Sequence, residues 1–343
     1  MASDKLTPTD PRVQHQHILL NGINYHYLLA QPSSPPRATI FLIHGWPDFS
    51  HGWRYQIPML LSLNLRVVVP DMMGYNLTAA PDSLEYYTFK RAADDMAALA
   101  AHLNAPRIIL LGHDWGGAVV YRIALWHPSL ISAVISICTP FVRPSKEYIP
   151  IEQIVKTVLP NFGYQIQLAS GEVEKRVAEM GPRGIRLFLN AMYGGRGPNR
   201  EAGFAAEKGL LFENWPFLER TRLLSPEELD YYVEAYSRHG LRGPLNWYRT
   251  RELNFRDEKV LANEKDLKIK VPVLFVVAKN DQALPPSMSR GMERNFESLQ
   301  VRQVDAGHWA LWQRPEECNG LIGEFLERLL AAGEEGREGK AKL

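Results

Sequence analysis

The sequence predicts an α/β fold, a mostly parallel sheet flanked by helices with a helical cap inserted between two of its strands. Three observations carry that expectation. Short β-branched runs alternate with helical patterns; two of the runs are apolar throughout, as strands covered on both faces must be; and the strand rhythm stops near residue 143 and resumes near residue 266.

The elements follow in order. Residues 16–30 alternate around Asn21-Gly22, the turn pair of a two-residue hairpin, so the sheet opens with antiparallel strands. Strand runs come next at residues 38–44, 65–70, 107–112 and 132–137, and Ile108-Ile109-Leu110-Leu111 is the first of the wholly apolar ones. Helix-like segments then run to about Asp266, separated by breaks such as Gly181-Pro182, Gly194-Gly195, Gly197-Pro198 and Gly243-Pro244. Strands return at residues 271–278 and 300–304. The expected division is a discontinuous core domain, residues 1–142 and 266–343, with a cap of residues 143–265. The first ten residues and the charged, Gly-rich residues 333–340 read as loose ends.

Composition narrows the function. Across 343 residues, 39 Lys+Arg against 38 Asp+Glu leave a net charge of +1, too little excess to draw the chain to nucleic acid or anionic lipid. No apolar run approaches the ~18 residues that span a bilayer, and the polar N-terminus lacks the apolar centre of a signal peptide. A cytoplasmic protein, monomer or homodimer, is expected. Cys138 and Cys318 lack Cys-x-x-Cys spacing and read as small buried apolar residues. His15-x-His17 alternates as strand positions do, without a cluster to complete a metal site.

The chemistry concentrates where the 107–112 strand meets a helix, through Gly112-His113-Asp114-Trp115-Gly116-Gly117. A side chain at the tip of so sharp a turn stands clear of the backbone, and its neighbours must be small because the chain doubles back. The residue there is Asp114. A carboxylate at this position suits attack on a saturated carbon, giving an ester on the enzyme; as a bland alternative, Asp is also a common helix N-cap.

Such an ester must be hydrolysed, which calls for a base, an orienting acid and two donors for a tetrahedral oxyanion. His308, just after the last strand run, is the best placed of ten histidines for the base. Asp281, on the loop after the 271–278 strand, is the candidate acid, with Asp305 a rival better suited to a turn. The backbone N–H groups of Trp46 and Trp115 are the candidate oxyanion donors. His44 reads more readily as a satisfied hydrogen-bonding histidine than as a second base.

These residues resemble the epoxide hydrolases of the α/β-hydrolase fold, through His44-Gly45-Trp46-Pro47, the Asp114 turn, the loop at Asp281, and Gly307-His308. The resemblance implies a cis peptide before Pro47 and two cap tyrosines that hydrogen-bond the epoxide oxygen. Phe162-Gly163-Tyr164-Gln165 and the segment from Arg242 to Arg249 match the family's tyrosine segments, at Tyr164 and Tyr248. It further implies a small-molecule epoxide and water as reactants, no cofactor, and substrate contacts from Trp115, His113 and Trp309. In Gly74-Tyr75-Asn76-Leu77-Thr78 the chain departs from the family's Gly-Tyr-Gly and serine, in a loop expected to border the cavity. Trp215, Phe217, Phe188 and Leu187 suggest an apolar pocket or packing of the cap onto the core.

A haloalkane dehalogenase would use the same aspartate, with Trp115 helping to bind the departing halide; the two tyrosines favour the epoxide. A non-catalytic receptor on the same fold would be expected to lose Asp114, Asp281 or His308, and all three are present. Finally, Ala341-Lys342-Leu343 resembles the Ser-Lys-Leu peroxisomal address, which leaves cytoplasm and peroxisome as the expected locations.

Overall fold

The computed structural model describes residues 4–341. Strands β1 (Gln14–Leu20) and β2 (Ile23–Ala30) pair antiparallel across Asn21 and Gly22, whose φ values of 46° and 85° are what the tight hairpin turn requires. The chain continues through β3 (Ala38–Ile43), α1 (Gln56–Ser62), β4 (Leu65–Pro70), α2 (Phe89–His102), β5 (Ile108–His113), α3 (Trp115–Trp126) and β6 (Ile131–Ile137).

An insertion follows, built from α4 (Ile151–Thr157), α5 (Gly163–Ala169), α6 (Glu172–Met192), the short strands β7 (Phe204–Ala205) and β8 (Gly209–Leu210), α7 (Pro226–Ser237), α8 (Arg242–Asn246) and α9 (Arg251–Ala262). The core resumes with β9 (Val273–Ala278), β10 (Leu299–Val304), α10 (Ala310–Gln313) and α11 (Pro315–Ala341).

Eight strands form one sheet in the order β1-β2-β4-β3-β5-β6-β9-β10, parallel from β4 onward. Every residue of β5 and of β9 is buried, the burial expected of strands covered by helices on both faces. The order matters for chemistry. Because β3 and β5 are neighbours, the turn after β3 and the turn after β5 emerge side by side at one edge, with the loops after β6, β9 and β10 next along it.

Three expectations change. The insertion is not purely helical, since β7 and β8 pair antiparallel, and Gly181-Pro182 kinks α6 rather than ending it, with Gly181 at φ 57°. The segment at residues 5 and 6 is anchored: Leu6 is 1% exposed within the core, and Lys5 pairs with Glu228 of α7 at 2.8 Å. The chain beyond residue 332 is helical to Ala341 because α11 is nucleated upstream by the buried stripe Cys318, Ile322, Phe325, Leu326, and its Glu, Lys, Arg and Ala residues propagate a helix readily despite the glycines. Lys342 and Leu343, and so the tripeptide read as an address, lie outside the described residues. Among the described residues no helix is long and apolar enough to cross a membrane.

Candidate active site

β5 delivers Asp114 at φ 54°, ψ −125°, a left-handed backbone unusual for any residue but glycine. Close packing makes that turn possible: a Cβ on Gly116 would fall 1.9 Å from the carbonyl oxygen of Ile43, so α3 can begin against β3 only with glycine there. The Asp114 carboxylate does not cap α3. Its Oδ1 instead accepts from the Trp46 N–H at 2.7 Å, and the Asp114 carbonyl accepts from Thr139 Oγ1 at 2.7 Å; the Trp115 N–H at the start of α3 adds to the pull that favours the charged carboxylate.

The Trp46-Pro47 peptide is cis. His44, at the start of this turn, donates from Nδ1 to the Gly45 carbonyl and accepts the Met72 N–H on Nε2, both at 2.9 Å, and burial pushes it down to about 4. With both nitrogens spent it is a structural histidine. The insertion grips the same turn: Tyr193 donates to the Pro47 carbonyl, Tyr232 to Asp48 Oδ1 at 2.8 Å, and Tyr236 to the Asp48 carbonyl at 3.4 Å. Burial pushes the Asp48 carboxyl up to about 7 against the pull of Tyr232 and the Phe49 N–H. Sequence reasoning missed this clamp. Asp48 directly after the His-Gly-Trp-Pro turn, and Tyr232 and Tyr236 at i and i+4 on one helix face, were the available signals.

His308 and Asp281 arrive from the loops after β10 and β9. His308 Nδ1 lies 2.8 Å from Asp281 Oδ2, and Nε2 lies 3.5 Å from Asp114 Oδ2. The other oxygen of Asp281 accepts the N–H groups of Ala283 and Leu284 at 2.9 Å each, so its own loop fixes the acid. Asp305 accepts from Asn280 Nδ2 at 2.9 Å and takes no part in this chain of contacts. Burial opposes charge on His308, but Asp281 and Asp114 outweigh it and raise the imidazole to about 9. Burial also pushes Asp114 up, opposed by His308 and the two backbone donors.

Tyr164 on α5 and Tyr248 just after α8 come together, ring centroids 6.1 Å apart. The Tyr248 ring stands edge-on to both indoles, 5.2 Å from Trp46 and 5.2 Å from Trp115. Burial first, then the nearby phenol or carboxylates, hold both tyrosines well above the ordinary phenol range, so they are protonated donors. Two cavities meet here, of about 320 Å³ and about 210 Å³, and Asp114, Tyr164 and Tyr248 line both. Trp115 lies on the larger, among Phe89, Leu159 and Phe255; Trp309 lies on the smaller, with Arg196, Gln282, His308 and Gln313.

Several expectations about the pocket do not hold. His113 is 2% exposed and lines neither cavity; its Nε2 bonds the His308 carbonyl at 2.8 Å, because β5 is buried on both faces and its last side chain turns under His308. Asn76 and Thr78 line neither cavity as well. Asn76 accepts a φ of 47° and bonds Asp71 Oδ2 at 2.8 Å, while Thr78 Oγ1 bonds the Asp71 carbonyl at 2.7 Å. Of the residues read as either pocket or packing, Phe188 and Trp215 are buried packing, the former against Trp46 at 5.6 Å, and Phe217 is on the surface.

His113, Cys138 and His308 bring ligand-type atoms within 4.8 Å of one another. Burial holds the Cys138 thiol well above its usual range, its Sγ donates to the His308 carbonyl at 3.4 Å, and His308 Nδ1 is engaged by Asp281. That donor set is a protonated thiol packed beside a paired base.

Fold and site together define an α/β-hydrolase whose elbow carries aspartate. The family model for the α/β hydrolase fold matches residues 38–175. The chain is 42% identical to epoxide hydrolase srdG of Neurospora crassa over 351 residues, 96% of this chain and 100% of that protein. It is 32% identical to bifunctional epoxide hydrolase 2 of Mus musculus, covering 93% of this chain but 57% of that longer protein. The crystal structure of epoxide hydrolase A from Mycobacterium thermoresistibile superposes with a TM-score of 0.78 at 28% identity, over 92% of this chain and 98% of that one. The chain belongs to the epoxide hydrolases of the α/β-hydrolase fold.

Proposed function

We propose that the protein hydrolyses an epoxide to a vicinal diol through an ester on Asp114, with no cofactor. The observation that carries this is the convergence of a carboxylate and two protonated phenols on one point where two cavities join. Asp114 Oδ2 attacks a ring carbon, the carbon–oxygen bond breaks, and the departing oxygen takes a proton from Tyr164 or Tyr248, which opposite Asp114 need only hydrogen-bond it in the ground state.

Esterification then changes the base. One of the two carboxylates that raise His308 becomes neutral, so the imidazolium gives up its proton, which returns through solvent to the phenolate left by ring opening, and Nε2 can then take one from water. Hydroxide adds to the ester carbonyl. Charge gathers on the oxygen that accepts the Trp46 N–H, with the Trp115 N–H as the candidate second donor, and collapse releases the diol alkoxide, which takes its proton from His308. Oxygen from water therefore enters Asp114, and the diol leaves with an oxygen that Asp114 held before.

The two cavities favour an epoxide set within a molecule rather than at its end, with an apolar arm along Trp115 and Phe255 and a shorter, more polar arm toward Arg196 and Gln313. A single turnover in ¹⁸O-water, followed by peptide mass analysis, tests the reading: label in Asp114 supports it, and diol formed with Asp114 unlabelled removes it. Comparing diol formation from aryl and fatty-acid epoxides with halide release from haloalkanes separates it from a dehalogenase.

A further inference from the structure

β1 is an edge of the sheet, and it carries His15 and His17 two residues apart, hence on one face. The antiparallel register sets His26 of β2 directly opposite His17, on that same face, and His15 lies on its diagonal. The three rings are gathered: the His26 centroid is 5.0 Å from that of His15 and 5.1 Å from that of His17. In the linear sequence His15-x-His17 has no partner, because His26 joins it only through the hairpin's register.

The middle ring is held as a metal ligand is held. His26 is fully buried, and its Nδ1 lies 2.6 Å from Asp71 Oδ2. The carboxylate is itself fixed by the Ser50 N–H at 2.9 Å and by Asn76 Nδ2 at 2.8 Å. With the Nδ1 proton directed at Asp71, the Nε2 lone pair faces the edge strand and accepts the His15 Nδ1–H at 2.9 Å, a hydrogen bond that a bound ion would replace. A carboxylate behind a histidine sets its tautomer, aims its ring and raises the basicity of its free nitrogen. Both flanking histidines are exposed.

We infer that His15, His17 and His26 form a three-histidine site for a divalent first-row transition ion of the zinc class, with Asp71 behind His26. Two ligands at i and i+2 on one strand and a third across the ladder can present three nitrogens to a tetrahedral ion whose fourth position is water. Imidazoles without thiolates or a carboxylate in direct reach favour Zn²⁺, Co²⁺, Ni²⁺ and Cu²⁺ over Mg²⁺ and Ca²⁺. Two nitrogens each about 2.05 Å from a tetrahedral ion lie about 3.3 Å apart. His15 therefore gives up its hydrogen bond and withdraws by roughly 0.4 Å from its present 2.9 Å, and the exposed ring of His17, which here has no nitrogen within 4.8 Å of those of both other rings, turns about its own torsions to complete the set. Neither move disturbs the buried His26–Asp71 pair. The bound ion pins the edge strand to β2, and it leaves His308 free.

The test uses tag-free, EDTA-dialysed protein titrated with Zn²⁺ by calorimetry and with Co²⁺ by visible absorption. One site per chain is expected, with the intense absorption of tetrahedral Co²⁺ and a thermal midpoint that climbs with zinc. His15→Gln and His17→Gln are surface substitutions that leave epoxide turnover of the metal-free protein unchanged, and each weakens binding by tenfold or more. Absence of binding to the unsubstituted chain overturns the proposal. So does unchanged affinity in the double variant, and zinc binding that survives in that variant while abolishing turnover assigns the ion to His113, Cys138 and His308 instead.

Discussion

Replacing His308 with glutamine should turn a catalyst into a trap. The side chain's Nε2 stands 3.5 Å from Asp114 Oδ2 and is the candidate base for ester hydrolysis, yet the proposed ring opening draws on Asp114 and the two phenols, which the substitution leaves in place. Loss of a general base costs about 10²- to 10⁴-fold in the step that uses it. If the two half-reactions run at similar rates in the parent, even the lower figure leaves about 99% of the variant as ester in the steady state. Intact-mass measurement after mixing with epoxide then reads a gain equal to the epoxide's mass, on the peptide containing Asp114.

A second readout comes from charge. Burial raises the Asp114 carboxyl and His308 opposes that rise, so removing the cation lets it climb further. Adduct formation in the variant should therefore need a higher pH than alkylation in the parent. Turnover within tenfold of the parent, adduct on another residue, or a pH profile displaced downward would each refute the reasoning.

Four further outcomes follow from the same geometry. Tyr164→Phe and Tyr248→Phe should each slow alkylation, by up to about 10²-fold, and the double variant should lose it, with ester hydrolysis little changed; rapid-quench kinetics separates the steps. Gly116→Ala drives a Cβ to 1.9 Å from the Ile43 carbonyl, a backbone atom that cannot yield, so a loss of at least about 3 kcal/mol is expected in urea denaturation. Glu258→Gln leaves Arg122, 8% exposed and bonded to Glu258 at 2.7 Å, buried without its counter-charge, and should cost about 3 to 5 kcal/mol, whereas replacing both residues with apolar ones restores much of it. Asp48 binds its proton more tightly folded than unfolded, rising from 3.8 to about 7, so its contribution to stability declines as pH climbs between those values; Asp48→Asn should flatten that decline in pH-dependent melting.

Local features of this molecule could be read from the sequence and distant ones could not. The elbow at Asp114 and the turn at His44 announce themselves because their geometry demands glycine and proline at fixed offsets. The strands do so because double-sided burial leaves unbroken apolar runs such as 108–111. His113 is the counterexample. In a strand with both faces covered, alternation carries no sign of which side meets the substrate, so its place beneath the His308 carbonyl had to come from the fold. The same holds for Asp48, whose phenol partner is 184 positions away along the chain, and for His26, tied to Asp71 through 45. The helical tail of α11 was misread for another reason: composition describes the tail alone, while helix propagation depends on the buried turns before it.

The insertion does more than cover the cavity. It supplies Tyr164 and Tyr248, and by the hydrogen bonds of Tyr193, Tyr232 and Tyr236 it also holds the Pro47-Asp48 backbone that follows the Trp46 N–H. A donor aimed at a developing oxyanion is useful only if it need not reorganise when the charge appears. The phenols proposed to act on the leaving oxygen and the phenols that brace the turn proposed to hold the oxyanion thus belong to one body, which on that reading ties the first half-reaction to the second. An insertion that shifted against the core would lose both at once, and the buried Arg122–Glu258 pair between α3 and α9 resists that shift.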